Sequence, residues 1–155
     1  MQGLLSLLLL ALPTTPLPAD PNLDHEITSA YAQIRNADTR SDRSVLLQAL
    51  AKRLSVATPD QVSSVTDESI QNLTDLLNTD GDIGRVFASR ALAAVACRAH
   101  GALPSLRATL AEVPAPEADV LPIVLAPSFS PYDHLERAIQ TIENATPCLA
   151  NPPQD

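Results

Sequence analysis

Apolar residues recur at helical spacing almost from one end of the chain to the other. Leu23, Ile27, Ala30, Tyr31 and Ile34 predict a first helix ending near Asn36. After the polar stretch from Asn36 to Ser41, Val45, Leu46, Ala49, Leu50 and Leu54 mark a second amphipathic helix, with Asp42 near its positive end. Thr58-Pro59-Asp60 and Thr66-Asp67-Glu68 both read as helix starts. A third helix is expected over Asp67 to Asn78, facing inward through Ile70, Leu73, Leu76 and Leu77. The acidic turn Thr79-Asp80-Gly81-Asp82 leads into a fourth, expected from about Ile83 to His100 with Gly101 as its C-terminal cap. Leu103 to Glu112 forms a fifth, tolerating Pro104 in its first turn. The sixth runs from Tyr132 to about Ala145, with Leu135, Ala138, Ile139 and Ile142 on one face. The pattern is all-α.

Two stretches 42 positions apart carry matching residues: Asn36 with Asn78, Asp38 with Asp80, Arg43 with Arg85, Ala49 with Ala91, and Leu50 with Leu92. Ile34 and Leu76 add an apolar residue at one more shared offset. Self-similarity at such a period belongs to stacked helical hairpins. Around the second copy, Leu76-Leu77, the acidic turn at Asp80 and Asp82, then Gly84-Arg85, Ala88, Ala91-Leu92 and Val95 resemble a HEAT repeat over roughly residues 23–110. The resemblance implies a short αα superhelix with a concave face for a protein partner. In it, Ala88 and Ala91 admit a neighbouring helix, Leu92 and Val95 fill the seam, and Arg43 and Arg85 pair with turn carboxylates. Asp38, Arg43, Asp80, Arg85 and Arg90 are thus the expected bracing or partner-facing residues. The chain departs from the family at Gly84, where a valine is usual, and at Leu46, where a small residue is expected.

The first residues change the picture of where this fold works. A leucine-rich run from Leu4 to Leu12 and the Leu-Pro-Ala ending at Ala19 read as a signal peptide over residues 1–19, although Lys and Arg are missing before the run. The run is too short to cross a bilayer, which takes about 20 residues. A periplasmic or secreted protein is expected, with one helical domain over 20–150 and a disordered tail at 151–155. Five prolines between 114 and 131 interrupt that domain around the apolar run Val120 to Leu125. That insertion is a candidate ligand or partner surface, or a lid over the last repeat.

Net charge of −8 without a basic cluster argues against nucleic acid and anionic membranes. The two cysteines, Cys97 and Cys148, form an expected disulfide in an oxidising compartment. The competing chemistry is a metal or thiol site that would gather Cys97, His100, His134 and Cys148, with Cys97 and His100 sharing a helix face. Asn78-x-Asp80-x-Asp82 alternates oxygens like a calcium loop, but Ser89 stands at the twelfth position where Glu is needed, so a turn is expected. Asp133-His134 with Glu136 is the remaining acid and base grouping, and its members point apart on one helix. Asn72-Leu73-Thr74 and Asn144-Ala145-Thr146 satisfy the glycosylation pattern on or near predicted helices. Sequence therefore favours a non-enzymatic interaction module without cofactor. The alternatives are a small enzyme at the cysteine and histidine junction or a carrier of a small apolar ligand.

Overall fold

The computed structural model describes residues 22–116 and 130–148. The expected signal peptide at 1–19, the apolar centre of the proline-rich insertion and the tail at 151–155 lie outside the described residues. Within them the fold is all-helical, with no strand. The helices are α1 (Leu23–Asn36), α2 (Arg40–Ser55), α3 (Pro59–Ser63), α4 (Asp67–Asp75), α5 (Asp82–Ala94), α6 (Leu103–Glu112) and α7 (Pro131–Asn144). Two 3₁₀ turns, Leu76–Asn78 and Ala99–Ala102, prolong α4 and precede α6. No helix among the described residues is long and apolar enough to cross a membrane.

Local chemistry sets most helix starts. The side chains of Asn22, Thr39, Thr66 and Ser130 accept hydrogen bonds from backbone N–H groups in the first turns of α1, α2, α4 and α7. Thr58 and Gln61 make a reciprocal capping box around Pro59 on the short α3. Helix α5 begins differently: Asp80 and Gly81 both have positive φ, 58° and 64°, so the chain reverses through two left-handed residues before Asp82. Glycine at 84 then lets the new helix lie against the turn it has just left. A Cβ there would stand 1.7 Å from the Thr79 carbonyl oxygen and 2.7 Å from that of Leu76. Glycine at position 84 thus has a steric cause.

Packing puts α5 in the middle. It lies against α2, α4 and α7, while α1 packs on α2 and α4, and α6 on α7. Gly84, Val86, Phe87, Ala88, Ser89, Ala91 and Leu92 are all buried, while Asp82 in the first turn of α5 and Arg90 are exposed. Ala88 and Ala91 keep the helix thin enough for neighbours on both flanks, and Leu92 and Val95 are fully enclosed. Outer helices are one-sided by comparison. Helix α7 buries Leu135, Ala138, Ile139 and Ile142 and exposes Glu136, Arg137, Gln140 and Thr141.

The fourth predicted helix is too long. Helix α5 stops at Ala94, followed by a turn over Val95 to Arg98. Tertiary bonds explain the early stop, because Arg98 Nε donates to the Val65 carbonyl at 2.8 Å and Cys97 is drawn to Cys148. Gly101 is accordingly no C-terminal cap. It is exposed within the 3₁₀ turn and lacks the positive φ of Gly81.

Candidate functional site

Arginines hold the helices together in an ordered way. Within pairs, Arg53 of α2 meets Glu26 of α1, Nη2 donating to Oε1 at 3.0 Å. Arg98 joins the end of α5 to the start of α4 through the Val65 carbonyl and Asp67, and Arg107 of α6 binds Glu143 of α7. Between pairs, Arg43 of α2 reaches the turn before α5, with Nε on Asp80 Oδ2 at 2.8 Å and Nη1 on the Ala37 carbonyl at 2.9 Å. Arg85 of α5 sits between Asp82, at 3.2 Å in its own first turn, and Glu112 at the end of α6, at 3.8 Å.

The two sequence-matched arginines therefore do related work with unequal strength. Arg43 and Asp80 are mostly shielded, and the hydrogen bond to Asp80 raises the pKa of the Arg43 guanidinium. Asp82 and Glu112 are well exposed, so their pairing with Arg85 is screened and weak. Asp38 is exposed in its turn and makes no ion pair among the described residues. Arg90, also exposed, lies over the Phe87 ring with Cζ 5.7 Å from its centroid.

Cys97 and Cys148 form a disulfide, with Cα atoms 5.0 Å apart and the Cys148 N–H donating to the Cys97 carbonyl at 3.0 Å. Both sulfurs are committed, so neither is a thiolate nucleophile or metal ligand in this state. Nor do the partners proposed for them converge. Cys97 lies in the turn after α5 and His100 in the following 3₁₀ turn, so they share no helix face. His134 stands in the first turn of α7, and ten residues of helix, about 15 Å at 1.5 Å per residue, separate it from Asn144 before Cys148 is reached. No group of three or more His, Cys, Asp or Glu side chains among the described residues is placed to hold a metal.

No protein-family model, no curated protein and no solved structure matches this chain. The site must be read from its own geometry.

One cluster escapes pattern reading altogether. Asp24, in the first turn of α1, accepts three hydrogen bonds at the start of α4: from the Thr66 N–H at 2.9 Å, the Thr66 hydroxyl at 2.7 Å and the Ser69 hydroxyl at 2.5 Å. Burial pushes the Asp24 pKa up, but these bonds and the nearby His25 outweigh it, and the net shift is downward. With Asn22, Ser64 and Thr66, Asp24 lines an open depression of about 460 Å³. All three bonds land on Oδ1, which fixes the carboxylate across the start of α4. The turn at Asp80 is similarly occupied: its carboxylate binds Arg43 and its carbonyl accepts from Arg40 Nη2 at 3.4 Å. Of the two glycosylation patterns, Asn72 lies inside α4 beside the buried Thr74, whose hydroxyl donates to the Ile70 carbonyl. Asn144 is exposed at the end of α7.

Proposed function

We propose that the chain is an exported, non-enzymatic interaction module: three HEAT-like helix pairs, α1/α2, α4/α5 and α6/α7, stacked into a short array that binds a protein partner. The single observation that carries this reading is the order of the packing. Helix α1 neighbours α4 in one row and α2, α5 and α7 follow one another in a second, as the helices of successive hairpins do in a solenoid. The arginine contacts support the same division, with Arg53, Arg98 and Arg107 working inside pairs and Arg43 and Arg85 between them.

The exposed side of α7 is polar, as the last member of an array must be if no further unit is to cover it. The disulfide fits an oxidising compartment, in keeping with export to the periplasm or outside the cell. Side chains with chemical potential are absorbed in structure: Asp24 and Asp80 in hydrogen bonds, Cys97 and Cys148 in a covalent bond.

Affinity capture from envelope or secretion extracts of the native source tests the proposal. One saturable partner, competed by excess untagged protein, is the expected result; recovery of no specific partner, or turnover of a substrate by the purified chain, would overturn it.

A further inference from the structure

Helix α2 has an organised outer face. Asp42, Val45, Ala49, Lys52 and Val56 follow one another at intervals of three, four, three and four residues, and all five are exposed. That spacing lays them along one stripe, opposite the buried Leu47, Leu50, Ala51 and Leu54. Two observations separate the stripe from ordinary solvated surface. Among the described residues, the large apolar side chains left exposed are Val45, at 63%, and Val56, at 70%, and both stand on it. Asp42 and Lys52 also differ from the other charges of α2, for Arg40 and Arg43 reach Asp80 and Arg53 reaches Glu26. Asp42 Oδ2 accepts from the neighbouring Thr39 hydroxyl, and neither Asp42 nor Lys52 makes an ion pair among the described residues.

The order of these side chains selects what covers them. From Asp42 to Lys52 the stripe reads acid, apolar, apolar, base, and both pairs have Leu47 as their midpoint. Turned end for end about that point, the stripe matches itself. Val45 then falls against Ala49 of a second copy and Asp42 against Lys52 of that copy, and a two-fold axis makes each contact twice. Ala49 is small enough to let the two helices approach. Other arrangements fail on charge. A parallel pair would set Asp42 against Asp42 and Lys52 against Lys52. Sliding the antiparallel pair to join Val45 with Val56 would draw the two Lys52 ammonium groups together at its middle and leave Asp42 unopposed. Each copy carries a net −8, but at physiological salt charges more than about 8 Å apart are largely screened, so the groups at the contact decide.

We propose that two copies of the chain associate through α2, packed antiparallel, with Val45 on Ala49 and Asp42 paired to Lys52 in both directions. The inference goes beyond the interaction-module reading and does not require it. The contact spans about three helical turns, so association is weak and dimers form at roughly 0.1 mM and above. Below that concentration the stripe is open.

Sedimentation equilibrium of the purified, oxidised chain, from about 10 µM to about 1 mM, tests the proposal. The mass should climb from one chain to two and stop there, because a two-fold contact closes on itself. Lys52→Asp and Asp42→Lys should each weaken association by about tenfold or more, since each places like charges at both ends of the contact. An equimolar mixture of the two should restore it, each offering the charge the other lacks. Val45→Ser should weaken it as well. Val45 and Lys52 are exposed, so their variants keep the fold and decide the matter even if Asp42→Lys frays the start of α2. A single-chain mass throughout, growth past two chains, or a dimer that Lys52→Asp and Val45→Ser leave intact would overturn the proposal. So would a mixture of the two charge variants, both helical by circular dichroism, that stays monomeric. Partner capture from extracts is read at far lower concentration, so its failure bears on the module reading alone.

Discussion

Arg43 on α2 and Asp80 in the turn before α5 lie 37 residues apart in sequence and 2.8 Å apart in space. The same guanidinium also caps the end of α1 by donating to the Ala37 carbonyl. One side chain thus links the turn of its own helix pair to the turn of the next. Lysine would keep the charge but cannot span both acceptors with a fixed fork. Arg43→Ala and Asp80→Ala should each lower the urea midpoint, and the double variant should lose less than the two single losses combined. Strict additivity in that cycle would show that the contact does not couple the pairs.

Gly84 predicts a steric failure. Since an added Cβ would collide with backbone atoms of Thr79 and Leu76, Gly84→Ala must displace either the turn or α5. A loss of about 3 kcal/mol is expected, measured by chemical denaturation. Gly101→Ala, at an open 3₁₀ position, is the matched control and should be close to neutral.

The covalent link makes a separate prediction. Cys97 and Cys148 are separated by 51 residues, and closing a loop of that length stabilises the fold by about 4 kcal/mol on chain-entropy grounds. Replacing both cysteines with serine should cost an amount of that order, and α7 should lose hydrogen-exchange protection before α1 and α2 do. Uniform loss of protection would mean that the link steadies the whole core rather than its last pair.

Much of the fold is written in periodicity, and the exceptions have causes that periodicity cannot carry. The bounds of α1 and α6 agree with the expected ones because local signals, Asn22 at one start and Pro104 in the other's first turn, decide them. The end of α5 does not, because bonds from Arg98 to Val65 and from Cys97 to Cys148 cross long sequence distances. Ala49 and Ala91 match at the 42-residue offset, yet Ala49 is exposed on an edge helix and Ala91 is buried in the central one. Position in the helix packing, which no single residue encodes, separates them. Arg53, Arg98 and Arg107 play comparable parts at uneven spacings, so no constant offset points to them. The Asp24 cluster was hidden for the same reason, its partners lying 42 and 45 residues away.

Asp24 sets the acid limit of the α1/α4 contact. Its folded pKa is below the ordinary carboxylate value, so its stabilising bonds are fully present above about pH 4 and are lost as pH falls through the lowered folded value. Asp24→Asn retains one acceptor oxygen and should flatten that acid dependence. Asp24→Ala leaves Thr66 and Ser69 without their acceptor and should cost about 1 kcal/mol at neutral pH. Unchanged acid unfolding in Asp24→Asn would assign the transition to other carboxylates.

If the chain is an interaction module, its partner meets the row formed by α2, α5 and α7. Photoreactive side chains placed singly at the exposed positions Ala49 of α2 and Gln140 of α7, and at Gln71 of α4 and Ala108 of α6, measure this directly in extracts of the native source. The expected result is one crosslinked partner from positions 49 and 140 and little or none from 71 and 108. Crosslinks of equal yield from all four positions, or from none, would contradict it.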